Sequence, residues 1–259
     1  MQKLSIITVN YNNKLGLERT IKSVQNQSYK GFEHIIIDGG STDGSKEVIK
    51  HNKAHFSYWV SETDEGVYNA MNKGIKQANG EYLFFLNSGD DFIDNNELKK
   101  IVSYLTGEDI VYFNINQIDG ELVKVKKTPK LLSFSYLYHD LPPHQSTFIK
   151  KILFDKFGFY DEDLKIVSDW KFIIKALIKH NASYKYIDEI FTNFYHGGIS
   201  TNKESEALMK KERTSVLNAE FPILMNDLKY KYKLERIIRV LRKSRKIQLL
   251  IRLGLINKF

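Results

Sequence analysis

The sequence predicts an α/β protein with a Rossmann-like, mostly parallel central sheet flanked by helices. Three observations carry this. The first ninety residues alternate strand-like and helix-like stretches, the pattern that builds a parallel, doubly wound sheet. The strand-like stretches are continuous apolar runs, as expected for strands covered on both faces. Each of three such runs stops abruptly in polar turn residues, and in open parallel sheets ligands sit beyond those carboxyl ends.

Leu4–Val9 is the first apolar run, broken by Asn10, Tyr11, Asn12 and Asn13. Leu17, Ile21 and Val24 then recur with helical spacing. Phe32–Asp38 is the second strand, followed by Gly39–Ser45, rich in turn and cap residues, and a short helix around Lys46–Lys50. Phe56–Val60 is the third strand. Val67–Ala78 reads as a helix with Tyr68, Met71, Ile75 and Ala78 on one face, ended by Gly80. Tyr82–Leu86 is the fourth strand, stopping at Asn87-Ser88-Gly89 and followed by Asp90 and Asp91.

The second half is less regular. Leu98, Ile101, Val102 and Leu105 mark a helix, and Ile110–Asn114 and Leu122–Lys126 flank Asp119-Gly120 as a hairpin. Pro142-Pro143-His144-Gln145 is a rigid entry to a strand over 146–149. Lys151–Phe157 is a short helix ended by Gly158. Ser168 is placed as the cap of a helix from Asp169 to His180. Tyr184–Ile187 and Ile190–Tyr195 read as two strands, and Glu204–Ala219 as a polar helix.

Composition narrows the function. The 259 residues carry a net charge of +8, which first suggests a nucleic-acid partner. The excess is confined to Met225–Phe259, where six Lys and five Arg face only Asp227 and Glu235. The rest of the chain is near neutral, so the basic segment reads as an appendage, and no nucleic-acid partner is expected. There are no cysteines, which excludes disulfides and thiolate metal sites. The N-terminal apolar run is too short for a signal-peptide core, and no window is long enough to span a bilayer. A cytoplasmic location is the expectation.

Four acids, Asp38, Asp43, Asp90 and Asp91, fall at strand tips that converge on one rim. Two readings stand for Asp90 and Asp91: hard oxygen ligands for Mg²⁺ or Mn²⁺, or an ordinary polar turn. The convergence of tips favours the metal. A glycine-rich dinucleotide fingerprint and a P-loop are both absent. A bound diphosphate therefore needs a metal and basic side chains, with Lys73 a candidate and a solvated helix face its alternative. Asp169 sits in the first turn of an amphipathic helix, whose dipole favours the ionised form. It is either a base or only a cap.

Several longer motifs occur in order: SIITVNYN, IIIDGGSTDGS, ETDEGVYNAMNKGIKQANGEYLFFLNSGDDF, PPHQSTF, SDW and FYHGGIS, over roughly residues 1–200. Through them the chain resembles the family 2 nucleotide-sugar glycosyltransferases of the GT-A fold. Its flavour is that of bacterial O-antigen, capsule and exopolysaccharide enzymes. The resemblance implies a GT-A domain over 1–205, with a nucleotide-binding half 1–95 and an acceptor-binding half 96–205. A helical basic tail follows over 206–259.

It further implies that Thr8 and Asn10 line a nucleoside pocket and that Asp38 hydrogen-bonds the base. Asp64 and Lys73 would border donor sugar and phosphates. Asp90 matches the last carboxylate of the family's metal motif, with Asp91 beside it. The first acid of that motif is Asn87 here, which lowers the charge offered to a metal. His196 matches a position near the diphosphate, and Asp169 matches the catalytic base, preceded by Ser168 where a Glu is common.

The reaction so implied is inverting transfer of a hexosyl or N-acetylhexosaminyl group. It runs from a UDP-sugar to a saccharide acceptor, lipid-linked, with Mn²⁺ or Mg²⁺ as cofactor. The tail places Leu234, Ile237, Ile238 and Leu241 on one face, among Lys233, Arg236, Arg239, Arg242 and Lys243, with a second apolar cluster over Leu249–Ile256. It reads as a peripheral anchor on the anionic inner face of the cytoplasmic membrane, as a helix packed on the body, or as a homo-oligomer contact. A sugar-nucleotide-binding protein without transfer activity, and a nucleic-acid-binding protein using the tail, are the alternative functions.

Overall fold

The computed structural model describes residues 3–197 and 203–257. The chain divides into two compact units, 1–209 and 210–259. The first unit is built on a sheet of nine strands.

Strand β1 (Leu4–Asn10) is buried along its whole length and pairs in parallel with β2 (Phe32–Asp38) on one side and β4 (Tyr82–Phe85) on the other. β2 pairs in parallel with β3 (Tyr58–Ser61). This is the parallel half expected from the alternating pattern. The helices between these strands follow from their apolar spacing. In α1 (Lys14–Gln25) the Asn13 side chain caps the first turn by accepting from the Gly16 amide at 3.1 Å, and Leu17, Ile21 and Val24 are buried. α2 (Ser45–Asn52) is short and runs into a 3₁₀ turn over Lys53–His55, which shifts β3 two residues past the expected start.

Helix α3 (Val67–Gln77) lies against β1 and β2. Gly74 makes that approach close, because a Cβ there would stand 2.5 Å from the Ile7 side chain.

Beyond β4 the sheet becomes mixed. A two-residue strand β5 (Asp91–Phe92) follows the turn, and α4 (Glu97–Ile101) is shorter than its apolar spacing suggests. β6 (Ile110–Asp119) and β7 (Leu122–Lys126) form the expected hairpin. A short helix α5 (Phe134–His139), absent from the sequence reading, precedes a 3₁₀ turn over His144–Ser146 and then β8 (Thr147–Lys150). After α6 (Lys151–Phe157) and α7 (Ser168–Ile178) comes one long strand, β9 (Tyr184–Tyr195), where two were expected. It keeps parallel pairing to β6 through register shifts around Asn114. β8 joins the halves, antiparallel to both β4 and β6. Consequently β1, β2, β4, β6 and β9 all point the same way and end on one edge.

Ser168 is not the cap of α7. The helix starts on it, and its hydroxyl accepts the Asp161 amide at 2.5 Å, so it holds the preceding loop instead.

The core of this unit is aromatic. The Phe84 ring stacks on Phe148 with centroids 4.7 Å apart and meets Phe92 and Phe191 at 5.9 and 5.2 Å. One ring thus binds β4, β5, β8 and β9 together. The second unit contains most of α8 (Lys203–Glu220), then α9 (Pro222–Lys243), with Pro at its first position, and α10 (Arg245–Arg252). No helix among the described residues is long and apolar enough to cross a membrane.

Replacing Phe84 by Ala is expected to lower stability by about 3–5 kcal/mol, since the surrounding rings cannot all collapse into the space. Urea unfolding followed by near-ultraviolet circular dichroism measures it.

Candidate active site

The polar tips of β1, β2 and β4 meet on the common edge. At the end of β2, Asp38 is wholly buried, and its carboxylate is fully engaged. Oδ1 accepts from Asn10 Nδ2 at 2.7 Å and from the Ser41 hydroxyl at 2.6 Å. Oδ2 accepts from the Ser41 amide at 3.1 Å and the Ser61 hydroxyl at 2.6 Å. Asn10 and Asp38 are therefore one rigid unit, and any group bound there shares these oxygens with the chain. Asp64 is close by: a Cβ on Gly39 would meet its Oδ2, and its Oδ1 accepts from the Gly66 amide at 3.0 Å. Lys73 stands on α3 and pairs with Glu62 at 2.7 Å.

Two expected members lie elsewhere. Thr8 is fully buried two residues short of the strand end, and its hydroxyl is bonded to His34 Nε2 at 3.0 Å. It supports the floor of the site and does not line a pocket. Asp43 is exposed and braces its own loop, accepting from the Lys14 amide and from Ser45.

The turn after β4 is held from α1. Thr20 donates its hydroxyl to the Asp90 carbonyl at 2.7 Å and accepts the Gly89 amide at 3.0 Å, while Asn13 and Arg19 donate to the carbonyls of Ser88 and Gly89. Gly89 has φ +111, which suits only glycine, so the sharp turn depends on it. This brace fixes Asp90, which is 5 % exposed. Burial pushes its carboxyl up to about 7, against the opposing pull of His144 and the Tyr195 amide.

Asp91 is differently employed. Its oxygens accept from Asn193 Nδ2 at 2.8 Å and the Tyr195 hydroxyl at 3.4 Å, fastening β5 to β9. Asp91 therefore ties the turn to β9, whereas Asp90 is the more deeply buried of the two expected metal ligands. His196 is exposed just past β9, one residue after the Tyr195 amide that reaches Asp90 at 3.3 Å. The remainder of its FYHGGIS motif, from Gly198, lies outside the described residues.

For a divalent cation the chemistry of the donors fits. Asp90 offers a buried carboxylate, and Asn87 offers a buried side-chain oxygen that has no partner. Both are hard oxygen donors. Among the described residues no three His, Asp or Glu side chains converge into a cage. Such a site suits an ion that takes its other ligands from phosphate and water.

Asp169 is the second residue of α7, and its side chain is 15 % exposed. Oδ1 accepts from the Tyr68 hydroxyl at 2.9 Å, and Oδ2 faces His144 Nδ1 at 3.5 Å. Burial works against its charge, but His144, Tyr68 and the Trp170 amide outweigh it and hold the carboxyl below the usual range. Asp169 therefore stays an ionised acceptor. His144 continues the chain, with Nε2 at 3.1 Å from Asn87 Nδ2. The structure thus joins Asp169 to the turn of Asn87 and Asp90 through one imidazole.

Neither Tyr68 nor His144 was singled out from the sequence. Tyr68 counted as core on the apolar face of its helix. The rigid Pro142-Pro143 before His144 was the available signal.

The family model described as Glycosyl transferase family 2 matches residues 5–165. The chain is a family 2 glycosyltransferase. It is 38% identical over 181 residues to an uncharacterized glycosyltransferase of Mycobacterium tuberculosis, covering 68% of this chain and 69% of that one. A PGL/p-HBAD biosynthesis glycosyltransferase of Mycobacterium bovis is 26% identical over 220 residues, 80% and 82% of the two chains. Among solved structures, S. aureus TarS 1-349 in complex with UDP superposes with a TM-score of 0.64 at 20% identity, over 84% of this chain and 70% of that one. The mannosyltransferase PcManGT from Pyrobaculum calidifontis, in complex with GDP-Man and Mn²⁺, gives 0.58 at 14%, over 73% and 56%. Another TarS 1-349 structure is spanned over only 60% of its length. These structural likenesses establish the GT-A fold of this glycosyltransferase.

The buried Asp90 has a consequence for stability. Its folded value lies above the ordinary carboxylate value, so the folded state binds the extra proton. The contribution of this one group to stability is complete below about pH 4 and is lost as pH rises through about 7. In metal-free protein, Asp90→Asn is expected to raise the melting temperature at pH 8 and leave it unchanged at pH 4.5. Calorimetry in the presence of a chelator at the two pH values checks this.

Proposed function

We propose that this glycosyltransferase moves a hexosyl or N-acetylhexosaminyl group, with inversion, from a UDP-sugar to a saccharide hydroxyl. The acceptor is lipid-linked, and the setting is bacterial surface polysaccharide synthesis. The observation that carries the reading is the ionised, largely buried Asp169, linked through His144 to the turn of Asn87 and Asp90. An ionised carboxylate and an oxygen-donor turn in one connected site are what displacement at a sugar-diphosphate bond requires. The TarS structures with UDP and UDP-GlcNAc support the choice of donor, and the similarity to a PGL/p-HBAD biosynthesis glycosyltransferase supports a biosynthetic setting.

In this reading Asn10 and Asp38 form the wall against the base, with Asp64 and Lys73 toward the phosphates. His196 reaches the diphosphate from past β9. Asp90 and the Asn87 side-chain oxygen would hold Mn²⁺ or Mg²⁺, which when bound supplies charge neutralisation for the leaving diphosphate. Asp169 accepts the proton of the acceptor hydroxyl as that oxygen bonds to the anomeric carbon. The bond from that carbon to the diphosphate oxygen breaks on the opposite face, and UDP departs with its electron pair. Tyr68 keeps the carboxylate oriented and ionised until the proton arrives.

The tail supplies the location. Ile237, Ile238 and Leu241 on α9, and Leu249 and Leu253 in the segment that follows, are exposed. They stand among Lys233, Arg236 and Arg239. An exposed apolar face bordered by cations fits an anionic bilayer surface, where a lipid-linked acceptor resides. The protein would then work in the cytoplasm, peripherally on the inner face of the membrane.

Asp169→Asn is expected to lower transfer by about 10²–10⁴-fold while leaving UDP affinity nearly unchanged. Steady-state UDP release over a panel of UDP-sugars, with calorimetric binding of UDP, tests both halves; wild-type turnover in this variant removes Asp169 as the base. Replacing Lys233, Arg236, Arg239 and Lys243 by Glu should weaken co-sedimentation with phosphatidylglycerol vesicles at least about tenfold, since each cation near such a surface contributes about 1 kcal/mol. Unchanged sedimentation rejects the membrane role.

A further inference from the structure

His144 stands between the two parts of the site that the reaction must bring into register. Its side chain is 25 % exposed. The turn that carries it is pinned on both sides. Thr147 donates its hydroxyl to the Pro143 carbonyl at 2.7 Å, Ser146 donates to the Phe113 carbonyl on β6 at 2.9 Å, and Thr192 on β9 donates to the Gln145 carbonyl at 2.7 Å. With the preceding Pro142-Pro143, the backbone leaves the ring little freedom.

The hydrogen-bond pattern then favours one tautomer. The Asn87 amide nitrogen only donates, so Nε2, 3.1 Å away, must accept. The ring proton of the neutral imidazole therefore sits on Nδ1, which faces Asp169 Oδ2 at 3.5 Å. Each ring nitrogen has a separate task, one toward the acceptor side and one toward the donor side. The same arrangement leaves the Asn87 side-chain oxygen free of protein partners. An Asp at position 87 could not donate to Nε2, so the Asn and the His form a matched pair.

We propose that His144 is a positioning residue that sets the Asp169 carboxylate in register with the donor turn of Asn87 and Asp90. It does so through Nδ1 on one side and Nε2 on the other. The inference rests on the transfer reaction proposed above.

The two nitrogens can be tested separately. His144→Asn keeps an amide N–H near the place of Nδ1 and loses the reach to Asn87. His144→Gln keeps an acceptor near the place of Nε2 and loses the donor to Asp169. His144→Ala loses both. Using the full chain and the UDP-sugar that the wild type turns over, kcat for UDP release should fall about 10–100-fold in the Gln and Ala variants. The Gln variant keeps the donor KM and the affinity for UDP. The Asn variant restores most of kcat and raises the donor KM instead. Equal losses of kcat and KM in Asn and Gln, or wild-type kinetics in Ala, overturn the proposal.

A second readout needs no turnover. Long-range ¹⁵N–¹H spectra of the neutral His144 ring should show a protonated Nδ1 and an unprotonated Nε2, and the reverse tautomer contradicts the proposal. The two ideas fail differently. A wild type that releases no UDP from any UDP-sugar defeats the transfer reading, whereas active wild type with indistinguishable Asn and Gln variants defeats only the role of His144.

Discussion

The site depends on keeping a carboxylate ionised where burial disfavours it. Asp169 has little water, yet its carboxyl lies below the usual range, because Tyr68 and His144 reach it from segments far apart in sequence. Tyr68 comes from α3, packed on the parallel half, and His144 from the turn before β8, the strand that joins the halves. The environment of this carboxylate is therefore assembled only when both halves of the sheet are in place. The other interactions of α3 serve the same end: Asn69 and Asn72 bond Glu162 at 2.7 Å each, and Asn72 also takes the Tyr160 amide and carbonyl. One helix thus stitches the nucleotide side to the loop that leads into α7.

Asp90 shows the opposite balance. Nothing nearby outweighs its burial, and its carboxyl rises to about 7. A fold selected for stability alone would have little use for such a group, and the close bracing of its turn by Thr20, Asn13 and Arg19 shows how firmly it is held. Two carboxylates shifted in opposite directions within one site are a recurrent mark of divided chemical roles. Asp169 is held ionised by its partners, while Asp90 is held toward its neutral form by burial.

Much of this was legible in the sequence. The alternation of apolar runs fixed the parallel half, because a strand buried on both faces has few other readings. The convergence of Asn10, Asp38 and Asn87–Asp90 followed from the rule that such strands end on one edge. The mixed half was harder, since β5 is two residues long and β9 runs through register shifts that leave no periodic trace. Side-chain allegiance was not readable at all. Asp90 and Asp91 are neighbours with similar chemistry, and only the partners on β9 show that Asp91 is a fastener. Likewise Thr8 follows the apolar strand pattern outward, yet ends beneath the rim, bonded to His34. His144 and Tyr68 were hidden because their partner lies 25 and 101 residues away, a separation that no local pattern encodes.

In the proposed reaction, the edge of β1, β2 and β4 would hold the nucleotide diphosphate, with Asp90 as the carboxylate that would hold the metal. A crystal structure of the full chain with UDP and Mn²⁺, recorded near the manganese absorption edge, tests it directly. The expected result is an anomalous peak within bonding distance of the Asp90 carboxylate, with the uracil against Asn10 and Asp38. A peak away from Asp90, or UDP bound off this edge, would contradict it.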